Sequence, residues 1–205
     1  MFDHRIIPLQ NRVLVPMARV LAKRGVRADA LSWTGFGLGV VAFGLIWANW
    51  YLAGLLAIAA NRLVDGLDGS VARATSPTDR GAFLDIVLDF AFYTLVPLAF
   101  ALADPDANAL PAAVLIASFV GTGTSFLAFS LLAERRGLSS TKFPAKGIYY
   151  VGALAEGAET IAVFAAMCLF PAYYAGIAYG YAALCVMTTA LRLRLGMAVL
   201  RNRSG

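Results

Sequence analysis

Long apolar runs separated by short polar breaks dominate this chain. A helix that crosses a membrane needs about 20 mainly apolar residues, and six segments meet that requirement. They cover residues 30–48, 51–74, 81–103, 109–133, 147–169 and 172–195. The breaks between them contain Pro, Gly, Asn, Asp and aromatic residues, which are typical of turns and of the membrane interface. The pattern therefore predicts an all-α integral membrane protein with six transmembrane helices.

The beginning of the chain follows a different pattern. Apolar side chains alternate there at helical spacing with basic ones, namely Arg5, Arg12, Arg19 and Lys23. This segment is too basic and too often interrupted by proline to span a membrane, so we expect residues 1–27 to form an amphipathic juxtamembrane helix on the membrane surface. A plain basic tail is the alternative. Residues 28–200 then form the six-helix bundle, and residues 1–205 form a single domain.

Composition and charge support the membrane assignment and give it an orientation. The chain is 60% hydrophobic and 14% charged, whereas soluble domains have about 25% charged residues. All 17 Lys and Arg residues except Arg62 lie near the two termini or beside the second and fourth breaks. The positive-inside rule makes this side cytoplasmic, so both termini are cytoplasmic. Topology and anionic lipid headgroups explain the net charge of +5, and no nucleic-acid partner is indicated.

The second and third spans carry acidic residues at helical spacing. In the second span, residues at i, i+3, i+4 and i+7 share one helix face, and these are Asp65, Asp68, Gly69 and Ala72. In the third span, residues at i, i+4 and i+8 share one face, and these are Gly81, Asp85 and Asp89. The connection at residues 74–80 is short, which predicts antiparallel neighbouring helices whose acidic faces meet. By helical rise, Asp65 lies about 12 Å below Arg73, just under the cytoplasmic surface.

Four carboxylates in one site need protons or cations to offset their charge. Aspartate oxygens suit Mg²⁺ or Mn²⁺ better than Zn²⁺, because no His or Cys is nearby, and four carboxylates are enough for two such ions. A metal pair next to Arg73 is typical of a phosphate site. Gly69 and Gly81 would let a flat group such as a base approach the backbone. The alternatives are salt bridges that pack helices, such as Arg62 with Asp65, and close helix packing at the two glycines.

The motif resembles a known family signature. It reads Asp65-x-x-Asp68-Gly69-x-x-Ala72-Arg73, then seven residues, then Gly81-x-x-x-Asp85-x-x-x-Asp89. This resembles the signature of the CDP-alcohol phosphotransferases (class I CDP-alcohol phosphatidyltransferases), integral membrane enzymes of phospholipid head-group synthesis. The six-span layout and the amphipathic first helix are also similar to this family. Together with the stretch at 149–161, they point to a bacterial inner-membrane branch with its active site facing the cytoplasm.

The resemblance implies a reaction and a role for each motif residue. A CDP-alcohol, most often CDP-diacylglycerol, donates a phosphatidyl group to an acceptor hydroxyl, and CMP leaves. Asp65, Asp68 and Asp85 would bind the metals, while Asp89 would contribute to the second metal and act as the general base. The donor site would comprise Asp65, Asp68, Gly69, Ala72, Arg73 and Gly81. Within it, the small residues would line the cytidine and Arg73 would hold the phosphates. A homodimer is carried over from the family in the same way.

One departure and one open question remain within the resemblance. Many family members begin the first span with Pro-Asn-x-x-Thr, where this chain has Ala28-Asp29-Ala30-Leu31-Ser32. The open question is the acceptor. Glu156 and Glu159 share a face of the fifth span and would suit a polyol or an amine. They could instead pack against basic residues of the last helix. An acceptor phosphate would instead be held by basic residues such as Arg135, Lys146 and Arg192, although such residues also satisfy the positive-inside rule.

Two other functions compete with transfer. Intramembrane acidic clusters also mark cation transporters and channels, but those predict carboxylates spread across the bilayer rather than near one face. A lipid pyrophosphate hydrolase would use water as the acceptor. Arg73 and Gly69 in their motif positions favour transfer.

Overall fold

A computed structural model describes residues 14–136, 155 and 157–201 of the chain. Within this part every regular element is a helix. Residues 14–23 form α1. The longer helices are α2 (Ala28–Trp47), α3 (Tyr51–Ala74), α4 (Asp79–Ala103), α5 (Pro105–Arg135), α6 (Gly157–Leu169) and α7 (Tyr174–Arg201), with a 3₁₀ turn at Pro171–Tyr173 before α7.

The helix ends agree closely with the predicted spans. Four of the described segments are long and apolar enough to cross a membrane: Ala28–Trp47, Asp79–Ala103, Pro105–Arg135 and Pro171–Arg201. The helix α3 has 24 residues but carries four charged ones, namely Arg62, Asp65, Asp68 and Arg73. The helix α6 is described over 13 residues, and the first half of the predicted fifth span lies outside the described residues. The all-helical fold is confirmed, with four candidate spans.

The first helix docks against the third at a glycine. Leu14 and Ala18 of α1 are buried, whereas Met17 and Val20 are exposed. A Cβ atom on Gly66 would lie 2.8 Å from Cδ1 of Leu14, so the absent side chain lets α1 approach α3. Residues 14–23 are therefore helical, with one face buried against α3, and their placement on the membrane surface stays a prediction.

The second helix joins the two acidic helices. It packs extensively against both α3 and α4, which approach each other only sparsely. Gly39 lies at the α2–α4 contact, where an added Cβ would be 2.7 Å from the ring of Phe92. The acidic faces of α3 and α4 do meet, but across a gap that α2 closes. The predicted meeting of the two acidic faces is therefore confirmed, and α2 holds the two helices together.

Aromatic side chains form the core at the far side of the bundle from the polar site. Phe100 stacks on Tyr174 with ring centroids 4.5 Å apart and on Tyr51 at 5.4 Å. The hydroxyl of Tyr174 donates a 3.3 Å hydrogen bond to the carbonyl of Pro97. Helices α3, α4 and α7 are thereby fixed at one end, while their charged residues gather towards the other.

Candidate active site

Three aspartates form a compact cluster between α3 and α4. One carboxylate oxygen each from Asp65, Asp68 and Asp85 lies within 4.8 Å of the others. Asp68 is buried, Asp65 is half-buried and Asp85 is exposed, so the cluster opens on one side. Carboxylates this close repel one another strongly unless a cation offsets their charge. The donor set consists of hard, short oxygen ligands, which fits Mg²⁺ or Mn²⁺.

The buried aspartate is held by the first long helix. Oγ of Ser32 donates a 2.6 Å hydrogen bond to Oδ2 of Asp68. Ser32 begins the second turn of α2 and is itself 9% exposed. A hydrogen bond from a hydroxyl to a carboxylate is short and strong because the acceptor is charged. The Asp68 side chain is therefore fixed in one orientation, although the serine stands where the family pattern has threonine.

The fourth aspartate pairs with an arginine. Nη1 of Arg62 lies 2.8 Å from Oδ1 of Asp89 and 3.4 Å from Oδ2 of Asp65. The guanidinium sits over the ring of Phe92, 4.5 Å from its centroid, and 5.7 Å from that of Tyr93. Arg62 thus links one carboxylate of α3 to one of α4. The sequence suggested only its pairing with Asp65, because Asp89 is 27 residues away.

A buried asparagine anchors this arginine. Nε of Arg62 donates to Oδ1 of Asn61 over 2.6 Å, and Nδ2 of Asn61 donates to the carbonyl of Gly35 over 2.7 Å. Asn61 is 2% exposed. Its side chain uses both its donor and its acceptor, which is how a buried amide avoids a desolvation penalty. A path of hydrogen bonds therefore runs from α2 through Asn61 and Arg62 to Asp89.

All four acids line one small cavity, which we call the carboxylate cavity. Its walls come from three helices, and the lining residues are Ser32, Phe36, Asn61, Arg62, Asp65, Asp68, Asp85, Leu88 and Asp89. The four motif aspartates are thus brought together, as their spacing predicts. Asp65, Asp68 and Asp85 form the compact group, and Asp89 lies beside it with Arg62.

A second and much larger space, which we call the wide cleft, lies next to it. Its volume is about 630 Å³, within the usual range for ligand pockets. Ser32, Asp68 and Asp85 line both spaces. Four further motif residues line the wide cleft alone, and these are Gly69, Ala72, Arg73 and Gly81, whereas Asp65 and Asp89 line only the carboxylate cavity. Every fixed position of the motif therefore contacts one of two adjoining spaces.

Positive charge and small residues shape the wide cleft. Arg27, Arg73 and Arg80 contribute to its lining. Arg80 and Arg27 lie 3.6 Å and 3.9 Å from Asp29, and Nη2 of Arg73 donates to Oγ of Ser70 over 3.1 Å. No site role was predicted for Arg27 or Arg80 from the sequence. Their position beside the ends of α2 and α4 was the available signal, but the positive-inside rule already explained them.

The two motif glycines keep the backbone of the cleft open. A Cβ atom on Gly69 would lie 3.3 Å from Nη1 of Arg73. On Gly81 it would lie 3.2 Å from Oγ1 of Thr78, the side chain that caps α4 by accepting from the Gly81 amide over 3.1 Å. The three described atoms nearest to the Cβ on Gly69 all belong to Arg73 of the same helix, whereas the Cβ on Gly81 would also lie 3.6 Å from Oδ1 of Asp29 on α2. The position of Gly69 therefore favours ligand access over close helix packing, while Gly81 fits both readings.

Three of the predicted acceptor residues, Glu159, Arg135 and Arg192, belong to the described part of the chain. Arg192 donates to the carbonyl of Thr122 over 2.9 Å and lies 5.5 Å from the ring centroid of Phe126. Arg135 is exposed at the end of α5, and Glu159 is half-buried in the first turn of α6. None of the three is among the described residues that line either space. Glu156 and Lys146 lie outside the described residues.

Comparison with known proteins assigns the family. The pattern of the CDP-alcohol phosphatidyltransferases matches residues 26–193, so the chain belongs to that family. It is also 46% identical over 202 residues to a protein of Escherichia coli (strain K12) described as "Inner membrane protein YnjF", covering 98% of each chain. No solved structure matches. The family resemblance inferred from the motif is confirmed, and membership implies phosphatidyl transfer from a CDP-alcohol.

Proposed function

We propose that this chain transfers a phosphatidyl group from CDP-diacylglycerol to an acceptor hydroxyl, releasing CMP, in phospholipid biosynthesis. The observation that carries this proposal is the shared wall of the two spaces. Asp68 and Asp85 face both the carboxylate cavity and the wide cleft. A donor in the wide cleft would therefore present its pyrophosphate directly to the carboxylates.

The wide cleft suits a cytidine diphosphate. Its volume of about 630 Å³ accommodates a nucleotide and leaves an open side for lipid chains. Gly69, Ala72 and Gly81 give it a wall without bulky side chains, against which a planar base can lie. The guanidinium of Arg73 would bind phosphate oxygens through a pair of parallel hydrogen bonds. Arg27 and Arg80 add positive charge around the same opening.

Asp65, Asp68 and Asp85 would hold a divalent ion, Mg²⁺ or Mn²⁺, and Asp89 would contribute to a second. The clustering of three carboxylate oxygens within 4.8 Å supports this assignment. When bound, the ions supply positive charge that offsets the pyrophosphate and the departing CMP. The role of Ser32 is to keep Asp68 oriented for this task, since hydrogen bonds to ligating carboxylates fix their geometry.

Asp89 would act as the general base. The acceptor hydroxyl gives its proton to the Asp89 carboxylate while its oxygen forms a bond to the β-phosphorus. The bond between that phosphorus and the bridging oxygen breaks, and the electron pair leaves with CMP. The half-buried position of Asp89 in the carboxylate cavity supports this role, because the base must lie beside the reacting centre rather than in the wide cleft.

The acceptor would enter from the side of α4 and α6. Glu156 and Glu159 would contact a polyol or an amine, or else Arg135, Lys146 and Arg192 would hold an acceptor phosphate. The position of Tyr93, between the carboxylates and the start of α6, supports this entry side. Its ring contacts Arg62 near the carboxylates, and a Cβ on Gly157 at the start of α6 would lie 3.4 Å from its hydroxyl.

The protein would be a multi-pass inner-membrane enzyme with six spans, both termini in the cytoplasm and the site facing the cytoplasm. Four candidate spans and the inner-membrane description of the Escherichia coli relative support this placement. The basic residues beside the breaks support the orientation. A homodimer completes the proposal by analogy with the family.

A CMP-release assay tests the proposed reaction. Purified protein is given CDP-diacylglycerol and Mg²⁺ or Mn²⁺, and glycerol 3-phosphate, inositol phosphate, inositol, serine and an amino alcohol are added in turn. We expect CMP release that depends on one acceptor. CMP release without any acceptor would instead identify a hydrolase. Divalent-cation flux into vesicles without CMP release would identify a transporter.

A further inference from the structure

We infer that Arg62 is a positioning residue for Asp89 and a fixed positive charge within the carboxylate cluster. This inference rests on the proposed function and extends it to a residue outside the family motif. Arg62 lies in α3, one turn before Asp65, and its side chain is only 18% exposed. A buried guanidinium is costly unless it is paired and hydrogen-bonded, and Arg62 meets both conditions through Asp89, Asp65 and Asn61.

The contacts of Arg62 are directional. Nη1 faces Oδ1 of Asp89 at 2.8 Å and Oδ2 of Asp65 at 3.4 Å, while Nε is bonded to Asn61. The planar guanidinium lies over the ring of Phe92. A lysine ammonium on its flexible side chain would not be restrained by so many contacts at once. Arg62 is therefore preorganised, and the carboxylate that it contacts most closely is held in one place.

The consequence for Asp89 is a fixed orientation. One carboxylate oxygen, Oδ1, is occupied by Arg62, which leaves Oδ2 to receive the acceptor proton. Catalytic groups lose rate steeply when they are misplaced by about 1 Å. Without Arg62, the Asp89 carboxylate would lose this restraint and could turn Oδ2 away from the acceptor oxygen. Arg62 keeps it at the acceptor side of the site.

Arg62 should favour turnover but weaken the binding of a divalent ion. Arg62 lies beside Asp65, one of the three clustered aspartates, so its charge repels any cation held there. Removing this charge should tighten divalent binding even as it slows turnover. If Arg62 merely stabilised the fold, its replacement would lower divalent-ion affinity and turnover together. The two effects therefore separate positioning from a structural role.

The test compares Arg62→Gln, Arg62→Lys and wild type, with Arg201→Gln as the control for removing an exposed arginine of α7. Mn²⁺ affinity is measured by electron paramagnetic resonance on protein in detergent, and kcat and KM are measured by CMP release. For Arg62→Gln we expect Mn²⁺ affinity to rise at least about threefold. We expect kcat to fall about 100-fold with the KM for the CDP donor unchanged. Arg62→Lys should keep wild-type Mn²⁺ affinity and regain part of kcat.

A double variant completes the test. Because Arg62 acts through Asp89, Arg62→Gln should slow Asp89→Asn little further, so the two losses should not multiply. Multiplying losses, an unchanged kcat, or unchanged or weakened Mn²⁺ binding in Arg62→Gln would each overturn the inference. If the wild type itself released no CMP, the proposed function would fail. The Mn²⁺ comparison would then decide on its own whether Arg62 supplies the fixed charge.

Discussion

Ser32 and Asp68 lie 36 residues apart in the chain and share a 2.6 Å hydrogen bond from Oγ to Oδ2. This bond ties the start of α2 to the buried member of the aspartate cluster on α3. It explains how a cluster shared between α3 and α4 is held together when those helices approach each other only sparsely. The scaffold of the site is α2, although the motif contains no residue of that helix.

Replacing Ser32 by alanine should raise the metal concentration that the enzyme needs for activity. The carboxylate of Asp68 would lose a charge-assisted donor and the restraint on its rotamer, so we expect the Mn²⁺ concentration for half-maximal activity to rise about tenfold. Ser32→Thr keeps the hydroxyl and should stay near wild type. Thr34→Ala serves as the control, because Thr34 is exposed and bonds only within its own helix in the described chain. A wild-type Mn²⁺ requirement in Ser32→Ala would show that the bond does not support the metal site.

The aspartate cluster should be indispensable. Asp65→Asn, Asp68→Asn and Asp85→Asn each replace a charged ligand with a neutral one, and we expect each to lower kcat/KM about 100-fold or more. Treatment of the wild type with EDTA should abolish activity, and Mg²⁺ or Mn²⁺ should restore it. Asp106→Asn, at an exposed position in the first turn of α5, is the matched control. Full activity after EDTA would rule out the proposed metal site.

Replacing Asp89 should lower turnover without weakening the binding of the CDP donor. Asp89→Asn removes the proposed base but leaves the wide cleft intact, since Asp89 is absent from the described lining of that cleft. We expect kcat to fall about 10³-fold, while the affinity for the CDP donor, measured by equilibrium binding, changes little. Parallel losses of affinity and turnover would mean that Asp89 belongs to the donor site instead.

Gly69 should govern donor affinity. In Gly69→Ala the new methyl group would displace the guanidinium of Arg73, which is 3.3 Å away, and narrow the wide cleft. We expect the KM for the CDP donor to rise about tenfold, corresponding to roughly 1.4 kcal/mol, with a smaller change in kcat. Gly176→Ala on α7, where no atom lies within 4 Å of the added Cβ, is the control. An unchanged donor KM would favour close packing as the reason for this glycine.

The sequence predicts most of the helix boundaries because a bilayer demands apolar segments of similar length. It also predicts the aspartate cluster, because residues at i, i+3 and i+4 must share a helix face. The contacts that hold the cluster could not be foreseen. Ser32 can bond to its own helix, and its Oγ lies 3.3 Å from the carbonyl of Ala28. Only the tertiary packing of α2 brings it to Asp68.

The same limit applies to Arg62. Its spacing to Asp65, three residues along the same helix, was visible in the sequence, but its closer partner Asp89 lies on another helix. The contacts of the predicted acceptor residues were likewise not predictable from helical spacing. Arg192 was a candidate for holding an acceptor phosphate, yet its guanidinium donates to the α5 backbone at Thr122. Helical periodicity places a residue on a face, and packing decides what that face meets.

Following the donor's β-phosphorus tests the central claim most directly. CDP-diacylglycerol carrying ³²P in the β-phosphate is incubated with the protein, a divalent metal and each acceptor in turn, and the lipid and aqueous phases are separated. The proposed reaction predicts ³²P in a new acceptor-linked lipid and unlabelled CMP in the aqueous phase. Label in phosphatidic acid with every acceptor would show hydrolysis rather than transfer. Label that stays in CDP-diacylglycerol throughout would contradict the proposed phosphatidyl transfer.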